Sequence, residues 1–448
     1  MAEVVVVGAG LGGLAAAARL AKLGHEVTVL ERSAVAGGAI RRVEQDGFGW
    51  DGGPTSTTLP AVLRDLFRKS GRPLERYADL VMRSPGRRHV FEDRSVLDLP
   101  TGSRAAQISA LDAGLGPGVG ATWAGFVDAL GPLWDSLRRS VLDVPDGGDR
   151  FADRAVAQSV SSRTSLAKLA TKAFKDERLR AMAVLPVRLA GSEPKDAPAF
   201  VAVDHYVDRS FGVWGVPAGG LTAITDALVT RLGERKVSLR LGTEVSSIVV
   251  EDGAVRGVET ADGTRWHADV VVCDIDPRAV FATLLPSALD LPGRRVFARA
   301  TPAIPVAVTH LGLTADAPDL PDEVVLHGEP LLVVHTAGTA PAGQHAWTIH
   351  RRGSAQEDVL LTMARRGVDV RKAVITRLDR SPVDLIQETS GSSYGLAWAG
   401  WRAHVQRAAQ THPLPGLYLL GASMHPGASV PYVAWGAANV AMRLGKAT

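Results

Sequence analysis

Gly8, Gly10, Gly12 and Gly13 fall within six residues, and Glu31 follows Gly13 by 18 residues. Glycines so placed let a backbone turn sharply, approach a pyrophosphate and pack a helix close to a strand, while an acid at that distance can accept from a ribose hydroxyl. The elements needed to hold such a site are present. Val4 to Val7 is a β-branched apolar run that reads as a buried parallel strand. Ala15 to Leu23 reads as a helix stopped by Gly24, and Val27 to Leu30 as the next strand. The helix would aim its free N–H groups and positive dipole end at the phosphates. A tight turn in some other α/β protein would account for the glycines, but not for the whole strand–turn–helix–strand–acid order.

Further along, "ERSAVAGGAIRR" brings Gly37 and Gly38, then Arg41 and Arg42, shortly after Glu31 and Arg32. "GFGWDGGPTS" adds Asp51, Pro54 and Thr55, residue types that also suit a rigid turn. Near the end, "LYLLGASMHPGASVPYVAWGAANVAMRL" reads as a strand over Leu417 to Leu420, a glycine-rich turn and a helix from about Val433.

These segments resemble the large FAD-dependent oxidoreductase group that includes amine oxidases, protoporphyrinogen oxidases and carotenoid desaturases. The ending, with Gly421, His425, Pro426, Gly427, Val430 and Pro431, resembles the phytoene desaturase form, as does "GVWGVPAGG" with Trp214, Pro217 and two glycines; the family's tyrosine and lysine are missing from that segment. The resemblance implies FAD held non-covalently by Gly8, Gly10, Gly12, Gly13, Glu31, Arg32, Gly37, Gly38, Arg41, Pro54, Thr55 and the backbone of Val245, with Gly421, His425, Gly427, Val430 and Pro431 around the flavin ring. It implies hydride and proton removal from C–C bonds of a lipophilic isoprenoid or natural-product substrate, with oxygen or a quinone as electron acceptor. His425 is the one candidate catalytic side chain. His205, Tyr206, Trp214, Tyr394, Trp398 and Tyr432 are candidate pocket walls, and a role in shaping the pocket alone stays open for them and for His425.

The implied fold is α/β: a Rossmann-type FAD-binding domain (a parallel sheet with an antiparallel excursion) joined to a mixed α+β substrate domain, as in amine oxidases. The FAD-binding parts would be residues 1–79, 200–280 and 410–448. Residues 80–199 would form a mostly helical part of the substrate domain, with breaks at "GLGPGVG" and "VPDGGD", and 281–409 its sheet. Asp252-Gly253 and Asp262-Gly263 mark hairpins of the excursion, which returns to the parallel sheet at Asp269 to Cys273. "AIPVAVTHLGL", "EPLLVVHTAG" and "HAWTIHRRG" read as strands, carrying His310, His335, His345 and His350, with His327 beside them, as sheet-face residues without metal-ligand spacing.

Three alternatives are carried: an amine oxidase, a flavin-dependent isomerase, and a lipid-binding escort protein on the same fold. An amine oxidase would commonly use a lysine-held water, yet no lysine occurs between Lys236 and Lys372. Tyr418 and Tyr432 are the residues that would imitate its aromatic cage. The escort reading would need lost flavin contacts, and the glycine motifs are intact.

Composition narrows the rest. The 448 residues suffice for two or three folding units, and 46% hydrophobic with 22% charged residues is ordinary for a globular protein. A formal charge of +3 is too small to imply a nucleic-acid partner. Cys273 is the only cysteine, which excludes an internal disulfide or a cysteine metal cluster and suits a reducing compartment; a small core residue is the reading preferred over a flavin link. With neither a signal peptide nor an apolar run of transmembrane length, a cytoplasmic location is expected. Peripheral membrane contact is left open. The apolar and basic residues of "SLAKLATKAFKDERLRAMAVLPVRLAG" suit either a membrane-surface helix or, as preferred, a core face with a basic solvated back.

Overall fold

The computed structural model describes residues 1–144, 153–217, 219–354, 357–400 and 412–447. The break at 145–149 and the boundary at 410 lie outside the described residues. Strand β1 (Glu3–Val7) is central in a five-stranded parallel sheet. β2 (Glu26–Leu30) and Ser238–Arg240 lie to one side, Val270–Cys273 and Leu417–Leu419 to the other. Val4 registers with both Val27 and Val270, and Val7 with Leu30 and Cys273. Covered on both faces, these strands need continuous apolar runs rather than alternation, as their sequences supply.

Helix α1 (Leu11–Lys22) connects β1 to β2, and its alanines Ala15 to Ala18 are fully buried. They share a core with Leu63 and Phe67, with Leu228, and with Val430, Ala434 and Ala441 of the C-terminal helix Val430–Leu444. Small side chains let the helices approach closely, and each fully buried leucine, such as Leu14 and Leu20, contributes about 1.5–3 kcal/mol. The C-terminal helix begins at Val430, earlier than the apolar pattern predicts. Ser429 caps it by accepting from the Tyr432 N–H at 3.4 Å, and Pro431 sits in the first turn, where no N–H partner is needed.

Both predicted hairpins form. Val245–Glu251, Ala254–Thr260 and Arg265–His267 make a three-stranded antiparallel sheet before the chain re-enters the parallel sheet at Val270. Cys273 is buried there, and burial pushes its thiol up to about 12, which keeps it unreactive.

A second sheet has seven strands. In spatial order they are Val374–Arg380, Ala307–Leu313, His345–Arg352, Leu331–His335, Glu323–Leu326, Arg87–Val90 and Val96–Leu99. Arg87–Val90 and Val96–Leu99 lie in the stretch read from sequence as mostly helical. Each has four residues, too few to express a period of two, and Arg87–Val90 opens with two arginines. Val81–Met82 pairs with Trp214–Gly215, and the helices of that stretch pack around Trp123, Phe174 and Met182. "SLAKLATKAFKDERLRAMAVLPVRLAG" forms two helices, Leu166–Ala173 and Glu177–Leu189. Leu179, Met182, Ala183, Leu185 and Val187 are buried, so the apolar face meets the protein core.

Candidate active site

A cavity of about 720 Å³ is lined by the C-terminal ends of the parallel strands on one side and by the seven-stranded sheet and the helix Val203–Phe211 on the other. Ligands of open parallel sheets bind at such strand ends.

At the nucleotide end the wall is mostly backbone. Gly8 has φ of +99°, which a side chain would strain, and Gly8, Gly10 and Gly12 line the cavity. Gly13 does not line it. A Cβ there would stand 2.0 Å from the Gly8 carbonyl oxygen, so its role is to let α1 pack on the turn. The second glycine pair meets the first: the Gly37 N–H donates to the Ala9 carbonyl at 2.8 Å, and a Cβ at Gly38 would lie 3.0 Å from Gly10 Cα. Glu31 lines the cavity and is oriented by the N–H groups of Ala9 (2.7 Å) and Ser33 (2.8 Å). Arg32 donates to the carbonyls of Gln387 and Glu388, and Arg41 pairs with the Glu388 carboxylate at 2.5 Å. Pro54, Thr55, Val245, Gly421, Val430 and Pro431 complete this part of the lining.

Asp51 lies below the cavity. Its carboxylate accepts from the N–H groups of Leu221 and Thr222, each at 3.0 Å, and so caps the helix Thr222–Glu234. Burial raises its pKa, against these hydrogen bonds.

Sequence reasoning missed Asp274. Gly10, at the N-cap of α1, has no side chain to offer, and the Asp274 carboxylate supplies the missing acceptor at 2.7 Å from the Gly13 N–H. Its pKa is pushed up to about 7 by burial, with bonds from Gly13 and Gly12 opposing and Glu31 adding to the rise. Part of the donor set expected to face phosphate is therefore already engaged by a side chain. The available signal was an acid directly after the apolar strand Val270–Cys273.

At the far end the wall is side chain. Pro186, Leu189, Val207, Val213, Leu331 and Val333 are apolar, and a band of buried polar groups crosses them. Glu323 pairs with Arg87 and, at 3.0 Å, with Arg83; Arg87 also reaches Asp208 at 3.5 Å. His335 Nδ1 lies 2.8 Å from Thr55 Oγ1, and its ring meets that of His350 at 4.7 Å. Burial would raise the Glu323 carboxyl, but Arg87, His335 and Arg83 outweigh it and hold it at about 2. His335 and His350 line the cavity, whereas His310 and His327 are buried away from it, against Trp50 and His89.

Of the six residues read as pocket walls, Tyr394 and Tyr432 line the cavity. His205 instead bonds the Ala183 carbonyl (3.0 Å) and packs on Trp123. Tyr206 lies under the Arg209 guanidinium, Trp214 donates to the Phe211 carbonyl, and Trp398 packs edge-on against Phe200. His425 also stands outside the lining: its Nε2 is 3.1 Å from the Val141 carbonyl, which ties the C-terminal loop to the helical layer. Gly427 is likewise behind the lining. Tyr418 sits in its strand, stacked on His412. Among the described residues no cluster of three metal-ligating side chains occurs.

The two glycine turns touch with no side chain between backbone and cavity, and the Glu31 carboxylate lines the cavity beside them. This arrangement fits an extended dinucleotide. The comparisons with known proteins agree. The family model for flavin-containing amine oxidoreductases matches residues 11–349. A hydroxyneurosporene desaturase of Cereibacter sphaeroides is 30% identical, covering 96% of this chain and 95% of its own. A 4,4'-diapolycopene oxygenase of a Methylomonas species is 28% identical with the same coverage. Among solved structures, a putrescine oxidase bound to putrescine aligns with a TM-score of 0.72 at 16% identity, over 99% of this chain and 98% of that one. The cyclohexylamine oxidase of Brevibacterium oxydans aligns with a TM-score of 0.70 at 18% identity, over 99% of both. The chain belongs to the flavin-containing amine oxidoreductase family and is an FAD-dependent oxidoreductase of the amine oxidase fold.

Proposed function

We propose that the protein desaturates a lipophilic isoprenoid, removing a hydride and a proton from neighbouring carbons. The observation that carries this reading is the single cavity, which runs from the glycine cradle to the apolar walls Leu189, Val207, Leu331 and Val333. The relatives that match nearly the whole chain, named as a desaturase and an oxygenase of carotenoid-type substrates, point the same way. No lysine is found among the described lining residues, which disfavours an amine oxidase using a lysine-held water.

FAD, when bound, supplies a two-electron acceptor for a hydride. In this reading Gly8, Gly10, Gly12, Gly37 and Gly38 admit its diphosphate, Glu31 accepts from the ribose, and Arg41 offsets phosphate charge. Val245 backs the adenine, while Gly421, Val430 and Pro431 lie along the ring. The apolar wall orients the polyene and excludes water. His425 and Gly427 set the shape of the C-terminal loop.

Oxygen or a quinone is the expected acceptor. No helix among the described residues is long and apolar enough to cross a membrane. A lipophilic substrate would enter from a bilayer surface. Val81, Met82 and Phe211 are exposed beside Val213, a lining residue, and form the proposed contact. Met82→Asp with Phe211→Asp should abolish liposome binding while leaving the flavin spectrum intact; unchanged binding would rule the contact out.

The test of the main reading is an absorbance spectrum, followed by anaerobic mixing with phytoene, with hydroxyneurosporene and with aliphatic amines. Bleaching of the flavin band by a polyene and not by amines is expected. Bleaching by amines alone would overturn the proposal.

A further inference from the structure

Asp204 and Asp208 lie one turn apart on the helix Val203–Phe211, and both line the cavity. Their surroundings differ. Asp208 is paired with Arg87, which is itself paired with Glu323. The Asp204 side chain has no hydrogen bond or ion pair among the described residues. Its charged or titratable neighbours are Asp208 on its own helix, Arg87 and Glu323 from the sheet beyond Asp208, and Tyr432 from the C-terminal helix. On the same helix, His205 and Arg209 turn away, to the Ala183 carbonyl and to Asp128. Val207 and Val213 supply apolar wall.

Two carboxyls in unlike surroundings, one tied to a guanidinium and one unpaired in an apolar wall, are a common arrangement for dividing acid and base roles. We propose that Asp204 accepts the proton that leaves the substrate as the hydride departs, an assignment that rests on the desaturation reading above. A hydride with its electron pair passes from one carbon to FAD. On the neighbouring carbon the C–H bond breaks, its electron pair becomes the π component of the new C=C bond, and the proton bonds to a carboxylate oxygen of Asp204. The resulting acid returns its proton to solvent before the next turnover, and the oxygen or quinone acceptor takes the two electrons. Burial, with Asp208 next, pushes the Asp204 carboxyl up to about 7, so it exchanges a proton near neutral pH. Burial raises the Asp208 carboxyl as well, with Arg87 opposing the rise through their ion pair and Glu323 adding to it.

The experiment compares the wild-type holoenzyme with Asp204→Asn, Asp204→Glu and Asp208→Asn, using anaerobic flavin reduction by hydroxyneurosporene in detergent across pH. Asp204→Asn should slow reduction by about 10²–10⁴-fold and remove the inflection near pH 7, with FAD and polyene affinities unchanged. Asp204→Glu should restore part of the rate. Asp208→Asn should move the inflection to lower pH, because the neighbouring negative charge is gone and Arg87 is released. A second readout needs no substrate: the infrared bands of protonated buried carboxyls should fade as pH rises through about 7 in wild type, and Asp204→Asn should lose the share of Asp204 while keeping that of Asp274, which Asp274→Asn removes instead. If Asp204→Asn does not fold, the Asp208→Asn shift and the infrared titration that remains in Asp274→Asn carry the test. Wild type reduced by the polyene, with Asp204→Asn equally fast or keeping the inflection, overturns the assignment alone. Wild type with an intact flavin spectrum that the polyene does not reduce overturns the desaturation reading, and this assignment with it.

Discussion

At the nucleotide end the cavity is walled by backbone from two glycine turns close together in sequence. At the substrate end it is walled by side chains such as Arg87, Asp204, Glu323, His350 and Tyr394, drawn from segments hundreds of residues apart. The first wall tolerates almost no added atom. The second holds charges that tolerate almost no lost partner. Substitutions at the two ends should therefore fail in different ways.

The largest effect is expected directly behind the first wall. Gly13→Val drives a side chain into the Gly8 carbonyl, which backbone cannot yield without moving α1. A loss of about 3 kcal/mol or more, together with loss of bound flavin, should appear in urea unfolding and in the visible spectrum. Glu323→Ala tests the second wall. It leaves Arg83 and Arg87 buried beside a missing carboxylate and should cost about 3–5 kcal/mol, while any folded fraction still binds FAD. A mutant that instead unfolds normally but loses flavin would erase the distinction between the two walls.

Acid should act through the buried histidines, of which His335 and His350 belong to the second wall. Burial holds His205 and His335 at about 4 and His310 and His327 at about 3, and keeps His89 and His350 well below their ordinary value. Below about pH 6.5 the unfolded chain takes up protons that the folded chain refuses. The stability these histidines permit is whole above that pH and is lost as pH falls toward the folded values, by up to about 1.4 kcal/mol per pH unit for each. The raised carboxyls of Asp51, Asp204, Asp208, Asp226 and Asp274 oppose this, because they gain stability as pH falls. The six histidines outnumber them, so denaturant midpoints should drop between pH 7 and 5. A flat profile would show that the histidines titrate freely.

The smallest effect returns to the first wall. Asp274→Asn keeps an acceptor for the Gly13 N–H and removes a negative charge from the glycine turn where the diphosphate is proposed to bind. FAD affinity above pH 7 should rise by about tenfold, or about 1.4 kcal/mol, and lose its fall with rising pH. Fluorescence titration of the apoprotein with FAD measures this. Unchanged affinity would mean that Asp274 faces away from the phosphates once FAD is bound.

The same contrast explains what the sequence made legible. A glycine cradle is specified by local geometry, so Gly8 to Gly13, Glu31 and the hairpins at Asp252 and Asp262 are readable from short spacing. The resemblance at Gly421 to Pro431 then joined the two ends of the chain. The substrate wall has no such local grammar. Arg87 and Glu323 meet only because two strands pair across the intervening chain, in parallel, at Val324 and Arg88. Nothing in "RRHV" announces a strand. His205, Tyr206 and Asp204 are near neighbours in sequence, and which of them meets the cavity depends on how one helix is rotated. Asp274 was hidden for a related reason: the cap it provides belongs to a helix 261 residues earlier.

Strand β1 lies beside Val270–Cys273, which lies beside Leu417–Leu419, and α1 shares its core with the C-terminal helix. A chain still on the ribosome and not yet extended past residue 417 therefore carries the first glycine turn without the loop and helix that face it. Until then α1 would lack the C-terminal helix beside its alanines, although the segments around Leu63 and Leu228 already pack there, and FAD would find only half a cradle. Flavin capture should therefore follow synthesis of the segment from 417 to 444, which closes the cradle.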